Sequence, residues 1–302
     1  MNDKNSKISH GETYIRDKKK KSDYLKYITF ILVTILVLTS SLIYLKYREG
    51  LSNKKNTAND KVNGETDKSI DDNYKTNQLK EPIKKTIVIS FAGDFTLGTD
   101  TKFPYDGSLP AAFIGSGKNY SYFMQNVSSV FSKDDYTLVN LETTFTDSKD
   151  KAHKDGEVFY NFKGPKEYVD ILTSGSIEGV TIANNHIYDY GKQGINDTIN
   201  TLKEKNIDIC GEGYKILKDI QGIKFGFLGY TGWEYSNNLK SKIISDISEL
   251  RKRGAEVVIP YFHWGVERKY EPDDVQKSLA RFSIDNGADA VIGSHPHVIE
   301  SM

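Results

Sequence analysis

Residues 86–94 read TIVISFAGD, a β-branched and apolar run that stops at Gly93-Asp94. Continuous rather than alternating apolar character marks a strand covered on both faces, and the Gly-Asp stop marks a polar turn at its carboxyl end. The pattern returns at Tyr136 to Leu141 (YTLVNL), Gly179 to Ala183 (GVTIA), Ile223 to Tyr230 (IKFGFLGY), Ala255 to Tyr261 (AEVVIPY) and Ala288 to Ile292 (ADAVI). Helices are predicted between these runs, at Tyr120 to Phe131, Lys166 to Ser174, Gly194 to Asn206, Asn238 to Arg253 and Pro272 to Asn286. Pro272, Asp273 and Asp274 suit a first helical turn, where a missing N–H costs nothing and negative charge meets the positive end of the dipole. Strand and helix in alternation predict an α/β layered domain over residues 86–302.

The chain changes character on the N-terminal side of Thr86. Residues 46–85 are rich in Lys, Asn, Asp, Thr and Ser, too polar to offset their ordering entropy by burial, and read as a disordered tether. Before it, Tyr27 to Tyr44 (YITFILVTILVLTSSLIY) is an uncharged, mostly apolar run of 18 residues. In lipid such a run is helical, because only a helix satisfies its backbone internally, and its length is near the minimum for spanning. No small-residue cleavage pattern follows it, so residues 27–45 read as an uncleaved transmembrane anchor. Residues 1–26 form a basic tail with Lys18 to Lys21 at its centre, which by the positive-inside rule is cytoplasmic and puts the rest outside the cell membrane.

Lys+Arg and Asp+Glu both count 41, so the balanced charge argues against a nucleic-acid partner. Cys210 is the sole cysteine, which excludes an intramolecular disulfide and a cysteine-based metal site.

Ligands of α/β folds gather at the carboxyl ends of strands. Five predicted strand ends carry ligand-type residues: Gly93-Asp94, Asn140-Leu141-Glu142, Asn184-Asn185-His186, His263-Trp264-Gly265 and Gly293-Ser294-His295-Pro296-His297. Four of the six histidines fall there. Singly, these are ordinary turns, caps and core histidines. Together, two carboxylates, an Asn carbonyl and three imidazoles make a mixed oxygen and nitrogen set suited to one or two divalent cations such as Mn, Fe or Zn. In HPH, two imidazoles two residues apart on an extended backbone point the same way. His186 is the candidate proton donor, with Asp189 nearby to fix its tautomer. Lys163, after Tyr160 and Phe162, is a candidate contact for an anionic substrate, and Trp264 either walls the site or packs in the core.

The ordered set AGDF, LVNLET, YNFKGP, IANNHIYDYG, GEG, GFLGYT, YFHWGVE and IGSHPHVIE resembles the poly-γ-glutamate capsule biosynthesis (CapA/PgsA) family over nearly all of residues 86–302. That family is similar to calcineurin-like metallophosphoesterases, which implies a four-layered αββα sandwich with a dinuclear site between its sheets. By this resemblance Asp94 binds one metal and Glu142 bridges. Asn185, His263 and His295 bind the second metal, and His297 returns to the first. His186 is the general acid, with Asn140 and Asp189 behind these groups. Thr96 stands where metallophosphoesterases carry a histidine ligand, which implies a weakly held first metal. Relatives continue beyond the equivalent of Met302, so further C-terminal strands are expected to be missing here.

The resulting expectation is a membrane-anchored component of capsule or poly-γ-glutamate production, working with other synthase subunits on an anionic polymer or phosphoester. The alternatives are a surface metal-dependent phosphoesterase unrelated to capsule and a non-catalytic assembly subunit.

Overall fold

The computed structural model describes residues 86–154 and 159–301. The expected tail, anchor and tether lie outside these residues. Among the described residues, no helix is long and apolar enough to cross a membrane.

The domain is mixed α/β with two four-stranded sheets. In the first, β1 (Ile89–Asp94), β2 (Tyr136–Asn140), β5 (Gly179–Thr181) and β6 (Asp208–Cys210) lie side by side in that order, all parallel. A two-stranded ribbon, β3 (Thr144–Phe145) with β4 (Lys163–Gly164), lies apart from it. In the second sheet, β8 (Ile223–Gly232) pairs antiparallel with β7 (Ile216–Ile220) and parallel with β9 (Val257–Trp264), which in turn pairs with β10 (Ile292–Ser294). The helices are α1 (Leu109–Gly115), α2 (Ser128–Phe131), α3 (Val169–Ser174), α4 (Gly191–Glu204), α5 (Asn237–Lys252) and α6 (Asp274–Asp285).

Period-two alternation divides the strands between separate apolar layers. On β2, Tyr136 and Leu138 face the second sheet, where they meet Phe225 and Phe227 of β8 and Ile259 and Tyr261 of β9. Val139 points the other way, packing with Ile171 and Leu172 of α3 and Ile195, Ile199 and Leu202 of α4. On the far side, Leu228, Val258 and Phe262 pack with Ile243, Ile247 and Leu250 of α5 and Leu279 of α6. The sheets therefore face each other across a shared apolar layer, and helices cover each outer face.

Three elements differ from the sequence expectation. The segment Tyr120 to Phe131 is not one helix but a 3-10 turn at Tyr120–Phe123 and the single-turn α2, because its Asn, Ser and Val residues are weak helix formers. β9 runs on through His263 and Trp264, since β8 and β10 flank it with paired Thr231 and Ser294. The final strand begins at Ile292 rather than Ala288, because the Asp289 side chain takes the Val258 N–H at 2.6 Å in place of a ladder bond. β6 and β7 were not anticipated. β7 meets β8 through the two-residue turn Gln221-Gly222, both residues at positive φ (54° and 90°), a hairpin geometry that Gln does not advertise as Asn would.

Close approach of the sheets depends on Gly229. A Cβ there would lie 2.4 Å from Thr181 Oγ1 and 2.9 Å from the Gly211 backbone. Gly229→Ala is therefore expected to destabilise the domain by about 1–3 kcal/mol, read as a lowered denaturant midpoint with an unchanged slope.

Candidate metal centre

At the carboxyl end of β1 the pairing with β2 slips by one residue between Ala92 and Asp94, so that Asp94 rather than Gly93 lies opposite Asn140. Such a bulge re-aims a side chain. Asp94 Oδ1 accepts a 2.7 Å hydrogen bond from Asn140 Nδ2, and its Oδ2 accepts the His295 N–H at 3.0 Å. His297 Nδ1 is 3.1 Å from the same Oδ2. Period two on β9 puts His263 on the face that carries Tyr261, toward the first sheet, and its Nδ1 lies 3.0 Å from Asn140 Nδ2. His263 Nε2 lies 2.8 Å from Asn185 Oδ1 and 3.5 Å from Glu142 Oε1.

The expected ligand residues thus converge. Asp94, Glu142 and His263 present donor atoms all within 4.8 Å of one another, as do Glu142, His295 and His297, with Glu142 common to both groups. Asn185 joins through His263. Asn140 sits behind them, between Asp94 and His263.

The HPH geometry is a correction. His295 and His297 are both in the left-handed region, at φ 98° and 56°, so the segment turns at each histidine instead of running extended. The two rings still meet Glu142, and their centroids are 5.6 Å apart. Strain of this kind persists where surrounding contacts over-determine it. Here Asp94 holds the His295 N–H, and the Arg268 N–H holds the Pro296 carbonyl at 2.7 Å.

His186 adjoins the cluster, with Nε2 3.9 Å from Glu142 Oε1 and Nδ1 2.7 Å from Asp189 Oδ2. Its loop is fixed by Asn184, whose Nδ2 donates to Asn140 Oδ1 at 3.0 Å and to the Leu141 carbonyl at 2.9 Å, while its Oδ1 accepts the His186 N–H at 3.0 Å. Lys163, the expected contact for an anionic substrate, donates its ammonium to the Ser148 carbonyl and lies over the Tyr190 ring. Trp264 is packing, stacked on Phe262 with centroids 4.5 Å apart. The tryptophan at the site is Trp233, edge-on to His263 and His295 at 5.6 and 4.8 Å. It lies just past β8, the one predicted strand whose end carried no assigned residue. Lys154, also unassigned, pairs with Asp189.

Charge in the cluster is unevenly distributed. Burial opposes ionisation of Asp94, but hydrogen bonds from His263 and Asn140 outweigh it and hold the carboxyl well below its usual range. Burial, then the Asp94 charge, push Glu142 up to about 8. Burial lowers His263, and burial with the neighbouring imidazoles lowers His295 to about 4. Both shifts favour the neutral imidazole that a ligand requires.

A divalent cation fits this donor set. His295 Nδ1 is buried without a hydrogen-bond partner, and in a native site such a group calls for an explanation. Mixed carboxylate and imidazole donors suit Mn, Fe or Zn.

Because Glu142 must lose its proton to ligate, cation affinity is expected to rise about tenfold per pH unit below pH 8 and to level off above it, with roughly one proton released on binding at pH 7. Titration calorimetry in buffers of different ionisation enthalpy reads both. His295, lowered to about 4, adds no slope in that range.

Comparison with known proteins places the chain. A Bacillus subtilis (strain 168) protein named "PGA biosynthesis protein CapA" is 31% identical over 227 residues, covering 65% of this chain and 59% of that protein. The "Capsule biosynthesis protein CapA" of Bacillus anthracis is 24% identical, covering 95% of this chain and 66% of that protein. A "Probable polyglutamine synthesis accessory protein" of Mycobacterium tuberculosis is 26% identical over 198 residues, covering 55% of this chain and 51% of that one. The chain spans 59% and 66% of the length of the two Bacillus relatives. Residues 88–302 match the family described as "Bacterial capsule synthesis protein PGA_cap", so this chain belongs to that family.

Proposed function

We propose that this protein serves capsule or surface poly-γ-glutamate production and that its described domain is a metal-dependent hydrolase of the metallophosphoesterase type, built as a four-layered αββα sandwich. The observation that carries the reading is the convergence of Asp94, Glu142, His263, His295 and His297 beside an Asp-held His186. Names of relatives that concern capsule and polyglutamate synthesis support the pathway. The donor set supports the chemistry.

On this reading Asp94 and His297 would hold one divalent cation, Asn185, His263 and His295 would hold the other, and Glu142, common to both donor groups, would serve either. Cations bound there supply Lewis-acid charge stabilisation to a phosphoryl group in displacement. The chain's own residues do the rest. Asp189 takes the His186 Nδ1–H and so leaves Nε2 turned toward the cluster; as the imidazolium, with a second proton on Nε2 and the Asp189 carboxylate beside it, His186 would give that Nε2 proton to a departing oxygen and return to the neutral Nδ1–H form. Asn140 keeps Asp94 and His263 in register. Trp233 covers the rings of His263 and His295 on one side. Thr96, whose hydroxyl donates to Glu142 Oε2 at 3.4 Å, stands where metallophosphoesterases carry a histidine ligand, so a cation at Asp94 would have one imidazole donor fewer.

Residues 1–26, 27–45 and 46–85 act in this proposal as cytoplasmic tail, single membrane anchor and tether, with the domain on the outer side beside the other subunits of a polymer synthase. The apolar run at residues 27–44 and the basic residues before it support that topology.

The full chain, loaded with Mn, is expected to hydrolyse an aryl phosphate. His186→Gln should lower kcat by about 10² to 10⁴, the usual contribution of a positioned acid, with metal content unchanged. His295→Ala should lower metal content and turnover together. Metal-replete wild-type chain without turnover would overturn the hydrolase reading and leave a cation-holding assembly subunit. Deleting residues 27–44 is expected to shift the protein from the membrane fraction to the soluble one; retention in the membrane fraction would contradict the anchor.

A further inference from the structure

Lys154 lies far from every strand end, yet its ammonium reaches the back of the site. It forms an ion pair with Asp189 and donates to the carbonyls of Tyr160 at 2.9 Å and Asn185 at 3.2 Å. Asp189 Oδ1 is paired with the ammonium by charge rather than by a hydrogen bond. His186 Nδ1 is 3.3 Å from the same nitrogen but only 2.7 Å from Asp189 Oδ2. Nδ1 cannot both accept from Lys154 and donate to Asp189. An ionised carboxylate can only accept and its contact is the shorter, so Nδ1 keeps its proton and donates to Asp189.

Asp189 has no exposed surface, and besides His186 its Oδ2 accepts the Phe162 N–H at 2.6 Å. A carboxylate buried this way needs a countercharge, and losing it leaves an uncompensated charge in the interior. Lys154 supplies that charge while binding three segments at once: its own, the one containing Tyr160 and Phe162, and the 184–189 loop. The segments are also joined by Asn161 Nδ2, which donates to the carbonyls of Ala152 and Asp189, each at 3.1 Å, and by the Ala152 N–H, which donates to the Asp189 carbonyl at 2.8 Å.

We propose that Lys154 is a positioning residue for His186: by holding the Asp189 carboxylate and the Asn185 carbonyl, it sets the tautomer and aim of the imidazole without touching the substrate. The part of this inference that concerns turnover rests on the hydrolase reading above. The part that concerns the tautomer does not.

The test uses the full chain labelled with ¹⁵N-histidine, in which His186→Gln identifies the His186 ring signals. Wild type and Lys154→Arg are expected to show Nδ1 carrying a hydrogen-bonded proton, and Lys154→Met to lose that proton in favour of Nε2–H or a mixture. Should Lys154→Met fail to fold, Lys154→Gln carries the same expectation. In parallel, with Mn and an aryl phosphate, loss of the lysine should lower kcat roughly 10- to 100-fold, as misplacement of a reacting group does, with KM and metal content within about twofold of wild type. Lys154→Arg should restore most of the loss. A Lys154→Met protein that keeps the wild-type His186 tautomer overturns the proposal, as does one that loses kcat only in step with bound metal. If wild type turns nothing over, the hydrolase reading fails and the tautomer measurement still decides the role of Lys154.

Discussion

Two carboxylates buried side by side are the constraint on which the rest of the site depends. Asp94 and Glu142 come from adjacent strand ends of the first sheet, and like charges at short range in a poorly solvated site cannot both ionise without compensation. The fold resolves this asymmetrically. Asp94 collects the Asn140 amide, the His295 N–H and two imidazoles, while Glu142 has a Thr96 hydroxyl at 3.4 Å and holds its proton up to about pH 8. A divalent cation held by these residues would remove the conflict at its source, because it would neutralise both carboxylates and give the lowered imidazoles a partner.

The fold serves this arrangement from both sides. Donors come from two sheets whose facing sides share an apolar layer, so their spacing is set by how closely the sheets pack, and Gly229 permits that packing. Strand alternation then assigns each residue a direction: on β9, Phe262 and Trp264 enter the helix-facing layer, while Tyr261 and His263 face the first sheet. Tyr261 donates its hydroxyl to the Ala92 carbonyl at 2.8 Å, tying the two sheets two residues before His263. Short-range irregularities finish the alignment, namely the Gly93 bulge at Asp94 and the left-handed turns at His295 and His297.

Much of this was legible because the chemistry obeys a positional rule. Asp94, Glu142, Asn185, His186, His263, His295 and His297 all follow or end apolar runs, and the site could be listed by reading only those ends. The αβ alternation was equally plain in long runs such as IKFGFLGY. What could not be read is what depends on contact between distant segments. Lys154 has no local signal that it meets Asp189, and Lys163, one residue after an aromatic pair, was the more suggestive lysine although its ammonium bonds Ser148. Trp264 sits beside a histidine in sequence, but alternation sends it to the opposite face, and Trp233 takes the place at the site. β6 and β7 are short, and DIC or ILKDI becomes a strand only because a neighbour offers a ladder edge, so tertiary pairing outweighs local propensity there.

The central claim is that residues from both sheets share cations through Glu142, and metal stoichiometry tests it most directly. Elemental analysis of the full chain, purified without chelator, is predicted to find one or two divalent ions per wild-type chain and none in Glu142→Ala. A wild-type chain that retains no ion after incubation with Mn, Fe or Zn, or a Glu142→Ala chain with the wild-type content, would contradict it.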